Sequence, residues 1–345
     1  MWRAPRFWHE ADGGALPRLL APAGVLYAAA VARRSRTTIA ARAPVPVVCV
    51  GNPGIGGGGK TPTAIAVAAR LDALGATPHF LTRGYGGRLA GPVTVEIGRH
   101  GAVDVGDEPL LLARHAPTHV ARDRVAGAHH AAAAGAGVIV MDDGYQNPSL
   151  AKDRALLVVD GEAGIGNGRV FPAGPLREDI DAQLARADAV VIVGGGGAGE
   201  RLAAICRQRG IAIIAARLAP AGSSPALAGR DVVAFSGIAL PQKFEASLAA
   251  AGARVVEALR FADHHRFGRR DIARILAALG RHPNAVAVTT EKDMVRIGGG
   301  NDPGGSLRLR LTTLPVEIVF DEPEAVDRLL APAASIPARQ APDSG

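Results

Sequence analysis

Eight consecutive residues, Gly54-Ile55-Gly56-Gly57-Gly58-Gly59-Lys60-Thr61, set tighter bounds on this chain than any other stretch. They complete the pattern G-x-x-x-x-G-K-[S/T]. An apolar, β-branched run, VPVVCV (45–50), precedes them, and apolar residues at helical spacing follow from Pro62 to about Leu74. That order predicts a buried parallel strand, a turn and a helix. Glycines let successive backbone N–H groups point inward around phosphate oxygens, and the helix start adds its positive end. Lys60 is then placed to reach β- and γ-phosphates, and Thr61 to set its hydroxyl on Mg²⁺. Glycine is plentiful at 44 residues, but only four of the 39 basic residues are lysines. One of the four falls where the pattern demands it, so we read a nucleoside triphosphate site.

Further strands are expected at 79–82, 137–142 and 155–160, with helices at 109–116 and 123–135 between them. The alternation indicates a doubly wound α/β sheet of P-loop type. One of these strands runs into Asp142 and Asp143, and strand-end carboxylates beside a phosphate loop are suited to hold Mg²⁺ or its waters opposite Thr61. A second, smaller Rossmann-like unit is expected at 183–330, with strands at 189–193, 211–216, 231–237, 254–260 and 285–290. The expected division is an N-terminal helical segment (1–40), the P-loop domain (41–182), the second α/β domain (183–330) and a disordered Ala- and Pro-rich tail (331–345). Gly194, Gly196 and Gly199 match a dinucleotide fingerprint. The following strand lacks the acid that would hold ribose hydroxyls, so a plain strand–helix turn is the expectation.

At 48% hydrophobic and 21% charged, the chain is too apolar to be disordered. Cys49 and Cys206 lie far apart with no metal-ligand spacing, which fits a reducing compartment. A net charge of +7 suits an anionic partner or simply an arginine-rich surface. No basic run interleaved with aromatics points to nucleic acid, and nothing implies an obligate protein partner. Residues 19–32 are uncharged but shorter than the roughly 20 apolar residues of a membrane span. Arg18 precedes them, Arg33, Arg34 and Arg36 follow, and Trp2, Phe7 and Trp8 lie upstream. Such a helix can lie in the headgroup region, with its arginines on phosphates and the aromatics at the boundary; an ordinary core helix is the alternative.

Four other clusters carry chemistry. Asp107 and Glu108, ahead of a helix started by Pro109, either cap it or supply a base with a neighbour near the metal. Asp263-His264-His265 ends a strand; an Asp–His pair suits proton handling, and no third ligand supports zinc. Arg177 follows a rigid Pro-Ala-Gly-Pro turn and could clamp an anion. Thr289-Thr290-Glu291-Lys292-Asp293 gathers polar groups at another strand end.

In order, VPVVCVGNPGIGGGGKTP, LTRGYGG, VGDEPLLLA, MDDGYQN, FPAGPLRE, FSGIALPQKF, FADHHRF and TTEKDMVR run from 45 to 296. This ordered set resembles the tetraacyldisaccharide 4′-kinase family, with similarity from about residue 20 to 297. The resemblance implies transfer of the ATP γ-phosphate to the 4′-hydroxyl of a tetraacylated diglucosamine 1-phosphate, in lipid A biosynthesis. It implies peripheral attachment to the cytoplasmic face of the bacterial inner membrane. It assigns Asp107 as base and His264 as its partner, and Glu108, Asp142 and Asp143 as metal-side acids with Thr61. Arg177 would contact the lipid phosphate or the transferring group. The family usually has histidine where this chain has Asn147, which can position a group but cannot carry a proton at neutral pH. The competing reading is a P-loop GTPase or metallochaperone-type NTPase acting on proteins, with TTEKD as an imperfect guanine motif.

Overall fold

The computed structural model describes residues 5–10, 14–56, 59–222, 226–297 and 310–336. Gly57, Gly58, Trp2 and residues 337–345 lie outside them. After helix α1 (Ala15–Thr37) comes β1 (Val47–Gly51), whose five residues are all buried. Val48 and Val50 face one apolar cluster, and Val47 and Cys49 face another on the opposite side of the sheet. A strand covered on both faces needs apolar residues at consecutive positions, which explains the unbroken run in the sequence. The glycine turn and α2 (Lys60–Ala73) follow, then β2 (Pro78–Thr82), β3 (Val93–Thr94), α3 (Ala102–Val105), α4 (Asp107–Leu112) and β4 (Thr118–Val120). Next are α5 (Arg124–Ala133), β5 (Val138–Asp142), β6 (Arg154–Asp160), α6 (Ile180–Leu184), β7 (Ala189–Val193), α7 (Gly197–Gln208) and β8 (Ala212–Pro220).

The chain then builds a separate sheet. Strands β9 (Asp231–Ser236), β10 (Arg254–Arg260), β11 (Val286–Thr289) and β12 (Leu311–Thr313) alternate with α8 (Pro241–Ala250), α9 (Arg269–Arg281) and α10 (Glu291–Ile297). All three pairings in the order β10-β9-β11-β12 are parallel. The chain returns through β13 (Val316–Phe320) and ends in α11 (Pro323–Ser335). The large sheet has the order β13-β8-β7-β6-β1-β5-β2-β4-β3, parallel except at β13 and β3.

This topology corrects two expectations. Strand 189–193 pairs with β6, and 211–216 pairs in turn with 189–193, both in the large sheet, so the small sheet is an insertion between β8 and β13, not a unit starting at residue 183. The two connections meet where Ala221 N–H donates to Pro315 O at 3.0 Å. The tail expected to be disordered from residue 331 is helical to Ser335. Strand order reverses at β1, between β5 and β6, so the carboxyl ends of these strands open a crevice where α/β folds place their ligands.

Helix α1 is longer than its uncharged stretch, because Leu16 and Arg18 lie within it. By length and composition it could cross a membrane, and 11% of its most apolar window is buried. One side packs on the 170–173 loop, where a Cβ on Gly24 would stand 3.1 Å from Val170 O. Tyr27 meets Phe171 edge-on. Trp8, expected at a membrane boundary, is instead buried, and its Nε1 donates to Pro172 O at 3.1 Å.

Candidate active site

The turn between β1 and α2 is held by its neighbours. Asn52 Nδ2 donates to Gly56 O at 2.8 Å, and Gln146 Nε2 donates to Asn52 O at 2.9 Å. Ile55 N–H donates to Pro175 O at 2.8 Å, and Arg177 N–H to Pro53 O at 2.9 Å. The Pro-Ala-Gly-Pro segment is therefore the wall of the phosphate loop as well as the mount for Arg177. Gly56 (φ +137°) and Gly59 (φ +84°) adopt conformations that side chains with a Cβ rarely tolerate. Gly59 leads directly into α2 at Lys60. Lys60 Nζ donates to Gly56 O at 3.3 Å and lies 3.6 Å from Asp143 Oδ1.

At the end of β5, Asp142 is fully buried. Its Oδ2 accepts from Thr61 Oγ1 at 3.2 Å, and its Oδ1 has no partner among the described residues. Burial, reinforced by the charges of Glu108 and Asp143, pushes this carboxyl up to about 7. A buried carboxylate oxygen without a donor is costly and marks a place where a cation would be favoured. No group of three or more His, Cys, Asp or Glu side chains at ligand spacing occurs among the described residues. Asp143, in the left-handed region at φ +53°, turns to Arg177 Nη1 at 3.0 Å. Burial would raise the Asp143 carboxyl, but Lys60 and Arg177 outweigh it and hold it below the usual range. Asn147 caps its own loop: its Oδ1 accepts from Ser149 N–H at 3.0 Å and Ser149 Oγ at 2.8 Å.

The small sheet brings the remaining groups across the crevice. Asp107, at the start of α4, is buried, and its Oδ2 accepts from Arg296 Nε at 2.8 Å and from Arg296 Nη2. His264 Nδ1 lies 3.3 Å from the same oxygen. Burial would raise the Asp107 carboxyl, yet the hydrogen bond from His264 and the Arg296 charge hold it well below the carboxylate range. The bond to Asp107 in turn raises the His264 imidazole. Glu108 accepts from Lys292 Nζ at 2.8 Å, and the Lys292 charge lowers its carboxyl. Lys60 also acts on Glu108, and Glu108 on Asp142, so the two halves of the site share one electrostatic field.

Residues 157 positions apart in sequence, Asp107 and His264, thus meet, as do Thr61 and Asp142. Of the histidine pair only His264 faces the crevice residues; His265 bonds Asp271 at 3.0 Å and stacks on Phe261. The Thr289–Asp293 cluster yields Lys292 for Glu108, while Asp293 is buried and accepts from Gly237 N–H, Thr290 Oγ1 and Arg296. Fully buried behind these partners, Asp293 presents no oxygen to a guanine base. In the Gly194–Gly199 turn, Gly196 and Gly199 pack on Gly161: an added Cβ would lie 2.7 Å from Gly161 O at Gly196 and 2.9 Å from Gly161 Cα at Gly199. Arg296, absent from the sequence-derived site, carried no signal beyond its place in the last family-like segment.

A model of the family described as tetraacyldisaccharide-1-P 4′-kinase matches residues 16–334. The tetraacyldisaccharide 4′-kinase of Methylobacterium nodulans is 52% identical over 324 residues, covering 94% of this chain and 93% of that one. The enzyme of the same name from Rhodospirillum centenum is 49% identical over 340 residues, covering 96% and 97%. The crystal structure of LpxK from Aquifex aeolicus in complex with ATP shares the fold, with a TM-score of 0.70 over 92% of this chain and 99% of that chain, at 24% identity. A match along nearly the whole length, at about half identity, places this chain in the tetraacyldisaccharide 4′-kinase family.

Proposed function

We propose that the protein transfers the γ-phosphate of ATP to the 4′-hydroxyl of tetraacyldisaccharide 1-phosphate, working peripherally at the cytoplasmic face of the bacterial inner membrane. The observation that carries this reading is the pairing of two half-sites: Lys60, Thr61 and Asp142 on the large sheet, and the Asp107–His264 pair formed only by docking of the small sheet.

Phosphoryl transfer is mostly positioning and charge stabilisation. Loop amides and Lys60 hold the β- and γ-phosphates, Lys60 leaving Gly56 O and Asp143 to do so. Thr61 and Asp142 would hold Mg²⁺, with phosphate and water completing its shell, since this ion keeps few protein ligands. When bound, the ion supplies charge neutralisation on the migrating group. Glu108 and Asp143 add negative charge around that position while Lys292, Lys60 and Arg177 balance it. Asp107 accepts the proton of the sugar hydroxyl as its oxygen bonds to phosphorus and the bond to the β-phosphate oxygen breaks, releasing ADP. His264 orients that carboxylate and spreads the proton's charge. Arg177, beside Asp143, is placed for the transferring group, and Asn147 for holding the loop that carries Gln146.

Membrane attachment rests on α1. Leu19, Val25 and Leu26 are 77%, 67% and 73% exposed, and arginines close the helix. Exposed apolar residues on a helix tipped with arginines suit an anionic bilayer surface.

Asp107→Ala separates binding from chemistry. The variant should bind ATP with wild-type affinity and lose about 10²–10⁴-fold in turnover on the disaccharide. Wild-type kcat in this variant would sink the base assignment.

A further inference from the structure

Asp107 has two carboxylate oxygens, and the described residues treat them unequally. Oδ2 receives Arg296 Nε, Arg296 Nη2 and the His264 ring, whereas Oδ1 has no hydrogen-bond partner among the described residues. We propose that Arg296 is a positioning residue for phosphoryl transfer, fastening Oδ2 so that Oδ1 is the oxygen presented to the acceptor hydroxyl. The inference rests on the kinase reading above and adds a residue and an atom to it.

Arg296 is suited to the task by its own anchoring. Its side chain is 4% exposed. Nη1 donates to Gly237 O at 2.7 Å and to Asp293 Oδ1 at 2.9 Å. Asp293 Oδ2 in turn accepts Gly237 N–H at 3.0 Å. The Gly237 carbonyl also accepts His264 N–H at 3.1 Å, pinning a residue that sits at φ +55°. One carbonyl just beyond β9 therefore fixes both the guanidinium and the imidazole that meet Asp107. All of these anchors belong to the small sheet, while Asp107 belongs to the large one. The planar fork brings two N–H groups to the single oxygen Oδ2 and so fixes where that oxygen sits more firmly than a single ammonium could.

His264 Nδ1 also lies 3.2 Å from Arg296 Nη2. A guanidinium only donates and a carboxylate only accepts, so Nδ1 can serve Asp107 when protonated or Arg296 when bare, not both. Arg296 thus holds the ring when Nδ1 is bare, and Asp107 Oδ2 holds it when Nδ1 bears the proton. The acceptor's proton goes to Oδ1, which is free, and Oδ2 keeps its contacts throughout.

The test is a double-mutant cycle on phosphate transfer to tetraacyldisaccharide 1-phosphate. Arg296→Met should lower kcat about 10–100-fold, the scale of a reacting group misplaced by an ångström, with KM for ATP within twofold. Arg296→Lys should recover part of that loss. In an Asp107→Ala background, Arg296→Met should cost less than threefold, because the group it positions is gone. A wild-type kcat in Arg296→Met, or an equal loss in both backgrounds, would overturn the proposal. If the methionine variant does not fold, Arg296→Lys with and without Asp107→Ala supplies the same cycle. A wild-type protein that transfers nothing to the disaccharide would overturn the kinase reading itself, a distinct result.

Discussion

Asp142→Asn should make the resting protein more stable at pH 8 while removing its activity. The carboxyl of Asp142 is fully buried; among the described residues it accepts one hydrogen bond, from Thr61, and Oδ1 has no partner. Burial first, then the Glu108 and Asp143 charges, move it from an ordinary 3.8 to about 7. Roughly three pK units at about 1.4 kcal/mol each correspond to about 4 kcal/mol of destabilisation once the group ionises in the fold. The folded state binds this proton more tightly than the unfolded chain. Stability is therefore lost as pH rises from the unfolded value near 4, and the full penalty is felt above 7. Asparagine carries no charge and keeps an acceptor for Thr61, but it puts an amide nitrogen where Oδ1 has no partner, and leaving that nitrogen unpaired costs about 1–3 kcal/mol. The net gain expected at pH 8 is about 1–3 kcal/mol, shrinking to nothing at pH 5. Urea unfolding in EDTA at pH 5, 6, 7 and 8 measures the gap. A gap that does not change with pH, or a wild type that is the more stable at pH 8, would refute the reasoning. Turnover of the same variant should fall at least about 100-fold, the scale of removing one charge-stabilising group.

Lys60→Ala should also cut turnover by about 100-fold or more in a phosphate-release or transfer assay, since loop amides alone cannot neutralise the migrating phosphoryl group. Leu19→Glu with Leu26→Glu should abolish sedimentation with anionic phospholipid vesicles and leave the melting temperature within about 2 °C, because both residues are exposed. Gly161→Val should destabilise by about 1–3 kcal/mol in denaturant, since even a Cβ there would lie 2.3 Å from Gly194 O; an unchanged midpoint would show that the turn yields.

Local features were legible in the sequence and long-range assembly was not. The run 45–50 announced a strand buried on both faces, and Lys60 and Thr61 fell at the helix start as the pattern required. The Thr61–Asp142 contact followed from two strand ends in one parallel sheet. Periodicity says that a segment is a strand but not which sheet it joins, so 189–193 and 211–216 were assigned to the wrong unit. The short strands β3, β4 and β12 and the returning β13 are not among the strands the sequence pattern indicates. Trp8 reads as an interfacial aromatic until the 170–173 loop covers it. Asp107 and His264 were joined by family resemblance rather than by spacing. Arg296 is one arginine in an arginine-rich chain, on a seven-residue helix, and only tertiary structure brings it to Asp107.

The measurement that bears most directly on the account is transfer of label from γ-³²P ATP to tetraacyldisaccharide 1-phosphate, run beside a lipid-free control. The account predicts a labelled lipid product formed only with the disaccharide, absent in Lys60→Ala and strongly reduced in Asp107→Ala. Free labelled phosphate released at the same rate with and without lipid, and no labelled lipid, would contradict it and favour an NTPase.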